Sequence, residues 1–134
     1  MKRISAIIIL LAITTTISAS LLFYNTTDII TDISTAIKSG VSSNVSKYFN
    51  STLDLTTPDN EGTYSKTQAE LILKDFFTKN PPASFTINHQ GSSVDGSQYA
   101  IGSYVSGTTS YRTYFLLKKA AAGSLIQKLE FEVQ

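Results

Sequence analysis

Residues 64–91, YSKTQAELILKDFFTKNPPASFTINHQG, change their hydrophobic period in mid-course, and that change sets the fold. Ser65 and Gln68 have the Ser-x-x-Gln spacing of a capping box, in which two side chains satisfy amides that a helix start leaves unpaired. Ala69, Ile72, Leu73, Phe76 and Phe77 follow at helical spacing and predict a broad buried face. Asn80 caps the far end, and Pro81-Pro82 stops the helix, since proline lacks the amide that would continue it. Beyond the prolines the period falls to about 2. Phe85, Ile87 and His89 then share one face of a strand that ends beside Gly91. His89 is the only histidine of the chain.

Downstream the two-residue period persists. GSSVDGS turns the chain, and Tyr99, Ile101, Ser103 and Val105 face one way in the next strand. SGTT turns it again, and Tyr111, Thr113, Phe115 and Leu117 share a face. KKAAAGS makes the third turn, after which Leu129, Phe131 and Val133 point one way. Their alternates Lys128, Glu130 and Glu132 are charged and belong in water. Upstream, Asp28 caps a helix carrying Ile29, Ile30, Ile33, Ala36 and Ile37 on one stripe, and Gly40 closes it. A short second helix places Val41, Val45, Tyr48 and Phe49 together. STLDLTT alternates as a short strand, and PDNEG reads as a turn. The expected order is helix, helix, strand, helix, then four strands. Loops this short make the last four strands antiparallel. A charged face on the final strand leaves one side of the sheet to water, so the helices cover the other. The class is α+β, with helices on a curved antiparallel sheet.

The chain has 134 residues, 42% hydrophobic and 16% charged, which suits one domain with one core. MKRISAIIILLAITTTISAS (1–20) has the parts of a secretory signal: basic Lys2 and Arg3, an apolar run from Ile4 to Ile13, and small residues around Ser18-Ala19-Ser20. Residues 21–27 form a short N-terminal segment, and 28–134 a single domain. The expectation is export to the periplasm or the extracellular space. The competing reading is an uncleaved anchor from Ile4 to Tyr24, which is free of charge but diluted by threonine and serine. Without Lys2 and Arg3, the 11 basic residues become nine against ten acidic. So balanced a domain has no field to draw in nucleic acid, and only an uncleaved N-terminus would hold it to a membrane. No cysteine is present, which excludes disulfides and thiolate metal sites.

The ordering of elements resembles the nuclear-transport-factor-2-like fold, a cystatin-like α+β cone shared with ketosteroid isomerases and many small binding domains. More narrowly, residues 64–91, YAIGSY (99–104) and YRTYFLLKK (111–119) resemble domain of unknown function 4783, a family of small exported bacterial proteins. Phe76-Phe77, Asn80-Pro81-Pro82, Phe85, His89, Gly91, Tyr99, Gly102, Tyr111 and Tyr114 carry the likeness, which spans 28–134. It implies this fold and export, and it implies no reaction.

Motifs for chemistry are sparse. One histidine without cysteine cannot supply the three or four nitrogen or sulfur ligands of a usual zinc site. No G-x-S-x-G elbow presents a serine to His89. GSSVDG and GSYVSG lack the spacing of phosphate loops, and DNEG (59–62) lacks the regular ligands of a calcium loop. No cofactor is expected. Tyr48, Tyr99, Tyr111 and His89 are the candidate pocket residues. A cofactor-free lyase or isomerase would pair such tyrosines with an acid, as ketosteroid isomerase, an established example, does. Asp54 and Asp75, however, both read as outward. Arg112 pairs with Glu130 or Glu132 across strands. Tyr104, Tyr114 and Leu116 form an outer patch that offers a homodimer surface. His89 reads as an inward-facing residue at a strand end, structural rather than catalytic. The leading reading is an exported binding domain, holding a small apolar ligand or a protein partner. The alternatives are the lyase or isomerase and a structural component of the envelope. A hollow cone favours the first alternative, and a filled one favours an interaction module.

Overall fold

The computed structural model describes residues 28–121 and 123–134. Residues 1–20, expected to be a signal, and residues 21–27 lie outside the described residues. The elements are α1 (Ile29–Ser39), α2 (Ser42–Ser46), β1 (Phe49–Thr57), β2 (Asn60–Ser65), α3 (Lys66–Lys79), β3 (Ser84–Ser92), β4 (Gln98–Ser106), β5 (Thr109–Ala120) and β6 (Gly123–Val133). The strands form one curved sheet in the order β2-β1-β6-β5-β4-β3. Four of the pairings are antiparallel, and β1 runs parallel to β6. The sheet is therefore mixed, and it has six strands where the sequence suggests five.

The extra strand is β2. The turn at Pro58-Asp59 is tighter than PDNEG suggested, because Thr57 pairs directly with Asn60. Asn60–Ser65 has no apolar run and only Thr63 and Tyr64 as strand formers, and its pairing with β1 makes it a strand. Phe49 opens β1 rather than closing α2, and it is buried.

The helices form as their caps dictate. The Asp28 carboxylate accepts from the Ile30 amide, and Gly40 closes α1 in the left-handed conformation at φ 67°. The Ser65 hydroxyl accepts from the Gln68 amide, and the Gln68 side chain accepts in return from the Ser65 amide. All three helices cover one face of the sheet. Ile33 and Ile37 of α1, Val45 of α2 and Leu73 of α3 are fully buried there. Facing them are Leu53 and Leu55 of β1, Ala100 and Tyr104 of β4, Phe115 and Leu117 of β5, and Leu129 and Phe131 of β6. Burying each such side chain contributes roughly 1.5–3 kcal/mol. Val133, expected on this face, runs past the core and is exposed.

The end of α3 is the tightest junction. Asn80 donates its backbone amide (2.8 Å) and its side-chain amide (3.2 Å) to the Phe76 carbonyl. Its own carbonyl accepts from the Tyr104 hydroxyl, and its Oδ1 accepts from the Tyr111 hydroxyl at 2.7 Å. One residue thus caps the helix and ties it to β4 and β5. Pro81-Pro82 leads straight into β3, where the Ala83 amide meets the Val105 carbonyl at 2.7 Å. Gly102 lies under the Phe85 ring. A methyl there would stand 2.6 Å from the Thr86 carbonyl oxygen, so only glycine lets β3 and β4 approach so closely.

Two stability predictions follow from this packing. Asn80→Ala leaves the buried Tyr111 hydroxyl unpaired and lowers unfolding free energy by about 2 kcal/mol in urea titration. Tyr111→Phe costs less, and combined with Asn80→Ala it adds little further loss; strict additivity would show that the two do not interact. Thr113 is fully buried, and its hydroxyl has no partner among the described residues. Thr113→Val removes that unsatisfied group and raises unfolding free energy by about 1 kcal/mol, read as a higher denaturation midpoint.

Candidate functional site

The inner face of the sheet is filled. The Phe76 ring lies 4.5 Å from Phe131, 5.3 Å edge-on from Tyr111 and 5.5 Å from Tyr104. Phe77 stacks on Tyr104 at 6.1 Å, and Phe85 approaches the same ring at 6.5 Å. Both inner tyrosine hydroxyls are committed to Asn80. Burial pushes the Tyr104 hydroxyl far above the ordinary tyrosine range, so it stays protonated and serves as a donor. The acids that could have joined it lie elsewhere. Asp54 is exposed on the opposite face, and Asp75 is exposed on α3 with Lys79 at 2.9 Å.

The outer face is a lattice that the strand registers define. One row across it reads Glu61, Thr56, Glu130, Tyr114, Ile101, His89, from β2 to β3. The row beside it reads Thr63, Asp54, Lys128, Leu116, Tyr99, Gly91. Beyond the first row, Glu132 and Arg112 stand opposite each other, next to Ser103. Tyr99, Ile101, Tyr114 and Leu116 are half-buried and adjacent. Tyr99 and Tyr114 stack with centroids 6.4 Å apart. The Tyr99 ring covers Gly91, where an added methyl would meet it at 2.7 Å.

The four candidate pocket residues do not converge. Tyr111 is in the core. Tyr48 lines an open cleft of about 280 Å³ between α1 and α2, with the Lys47 ammonium 5.3 Å from its ring. His89 and Tyr99 meet, with Nε2 and the hydroxyl 2.9 Å apart, but on the outer face. The reason is a bulge: the register slips at Asn88, between Ile87 opposite Gly102 and His89 opposite Ile101. Strict alternation points His89 at the helices; the extra residue turns it to solvent. Tyr104 is the converse case. Parity read from β4 alone puts it outside with Tyr114, yet it stands opposite Tyr111 and is fully buried. The legible signal was the two-residue turn Gly107-Thr108, which forces Tyr104 and Tyr111 onto one face. Leu116 and Tyr114 lie outside. Among the described residues Arg112 forms no ion pair, although Glu132 is opposite it in register.

A second cleft, of about 190 Å³, opens where β2, β1 and β6 meet, lined by Asp54, Glu61, Thr63, Lys128 and Glu130. The Thr63 hydroxyl donates to Asp54 at 2.6 Å, and Lys128 meets Glu130 at 2.6 Å. The hydrogen bond to Glu130 and its charge raise the Lys128 ammonium above its usual range. Among the described residues no three acidic or imidazole groups converge closely enough to hold a metal ion.

The profile of a family described as a domain of unknown function, DUF4783, matches residues 30–132. Solved structures of that family resemble this one. A protein from Bacteroides uniformis is 24% identical, with TM-score 0.74, over 80% of this chain and 98% of its own. One from Bacteroides ovatus is 29% identical, with TM-score 0.72, over 77% and 93%. An NTF2-like protein of unknown function from Cytophaga hutchinsonii is 8% identical, with TM-score 0.56, over 78% and 86%, a likeness of fold. None of the curated proteins matches the sequence.

The outward turn of His89 sets its contribution to stability. His89→Asn removes one exposed hydrogen bond and leaves the thermal midpoint within about 2 °C of the parent, an effect under roughly 0.5 kcal/mol. A drop several times larger would mean that the imidazole supports the core.

Proposed function

The chain belongs to the DUF4783 family, and from that premise we propose that it acts outside the cytoplasm by docking a protein partner on the outer face of its sheet. One observation carries this reading: the two faces are used differently. The inner face is filled by aromatic rings, and its tyrosine hydroxyls are consumed by Asn80. The outer face presents Tyr99, Ile101, Tyr114 and Leu116 side by side and half-buried, with charged residues around them. Aromatic side chains set in a polar surround are what protein interfaces favour, because they bury large areas with few rotors to freeze. A packed cone gives a small apolar ligand no room, which supports docking over enclosure. Export is supported by residues 1–20, with their basic start, apolar run and small-residue end.

Photocrosslinking in the native host tests the reading. Ile101 on the outer face and Leu71, 63% exposed on α3, are each replaced by p-benzoylphenylalanine. A discrete protein adduct is expected from position 101 and none from position 71. The same adducts from both positions, or none from either, would sink the docking reading.

A further inference from the structure

We infer that the partner docked on this face presents a cationic side chain beside an apolar one, on an extended segment lying across the strands. The inference rests on the docking reading above and names the chemistry of the occupant. The outer face is divided. Its half on β2, β1 and β6 carries Asp54, Glu61, Glu130 and Glu132 against Lys128 alone. Its half on β5 and β4 carries the apolar and aromatic group, with Arg112 at one end and Lys118 at the other.

Three observations select a cation. First, Asp54, Glu61 and Glu130 border one cleft of about 190 Å³, a hollow of the size that takes a single guanidinium or ammonium head. Second, Lys128 compensates only part of that charge. It is held 2.6 Å from Glu130 and also feels the charge of Asp54 opposite it, so one cation faces three carboxylates, and Asp54 and Glu61 are exposed with no ion pair among the described residues. Third, the carboxylates surround the hollow without converging to metal-ligand spacing, so an organic cation with several spread donors suits them better than a metal ion. A second copy of this chain fits the face poorly. Wherever two acidic halves overlap, carboxylate meets carboxylate, and each copy offers only Arg112 and Lys118, both on β5, as outer-face cations outside the Lys128–Glu130 pair.

The spacing specifies the segment. From β1, which floors the acidic cleft, to β5 and β4 is two to three strand separations, roughly 10–14 Å. An extended chain advances about 3.3 Å per residue, so residues four apart and on the same side span about 13 Å. An arginine can therefore sit in the cleft while an apolar residue four positions away lies on Tyr99 and Ile101.

The test uses the purified full chain and two fluorescent peptides, one repeating Arg-Ser-Ser-Ser-Leu-Ser-Ser-Ser and one repeating Glu-Ser-Ser-Ser-Leu-Ser-Ser-Ser, with binding read by anisotropy. The arginine peptide is expected to bind, more weakly at high salt, and the glutamate peptide not to bind. Asp54→Asn with Glu61→Gln, both exposed positions, should weaken it about tenfold or more, and Tyr114→Ser should weaken it as well. If both peptides bind alike and Tyr114→Ser weakens both, the face docks partners but the cationic inference falls. If the arginine peptide does not bind, the inference also falls. If sedimentation shows a dimer that Tyr114→Glu dissociates and that excludes the peptide, the occupant is a second copy. If the peptide binds regardless of every substitution on the face, the docking reading falls with the inference.

Discussion

The structure hangs on how α3 ends. A helix terminus leaves carbonyls unpaired, and burying it against a sheet would leave them costly. Asn80 resolves this in one residue. Both of its amides donate back to the Phe76 carbonyl, while its two oxygens accept from Tyr104 and Tyr111. The helix axis is thereby fixed over β4 and β5, which sets Phe76 and Phe77 among Tyr104, Tyr111 and Phe131. The same bonds orient both inner tyrosines. A cone closed in this way has both tyrosine hydroxyls satisfied and its volume occupied.

With the inner face spent on stability, the outer face is the one left open to solvent. Its side chains are set by register, and register is interrupted in three pairings, β3 with β4, β5 with β6, and β1 with β6 between Phe49 and Asp54. At Asn88 the bulge moves His89 from the core side to the solvent side. In β6 a second slip, at the pairing of Leu116 and Leu117, keeps Ile126 inside along with Leu129. Each bulge exchanges faces for everything beyond it on its strand, so one inserted residue decides whether a polar group joins a pocket or a surface. His89 joins Tyr99 and Tyr114 on the outer face because of the first.

Much of this was legible. The capping box at Ser65 and Gln68, the stop at Asn80-Pro81-Pro82 and the switch of period after it all depend on neighbours within a few residues, and all appear where the sequence puts them. Phe85, Tyr111, Phe115 and Phe131 are buried together with the face-mates that alternation gives them. What escaped has a common cause. β2 has no pattern of its own and exists through its pairing with β1. Tyr104 and Tyr99 exchange faces once β4 is aligned to β5 through the turn, since alternation within one strand gives two sets without saying which is inside. The expected partnership of Arg112 with an acid fails for a related reason: opposition in register brings two charged residues near each other without fixing their side-chain ends.

Residues 28–134, read alone, determined the helices, the four C-terminal strands, the α+β class and most of the core, because caps, prolines and periodicity are local. Tertiary structure decided the sixth strand, the parallel join of β1 to β6, the side on which His89 and Tyr104 fall, and the acidic and aromatic halves of the outer face. Those depend on which strand lies beside which and in what register, and that is set by contacts between residues far apart in the chain.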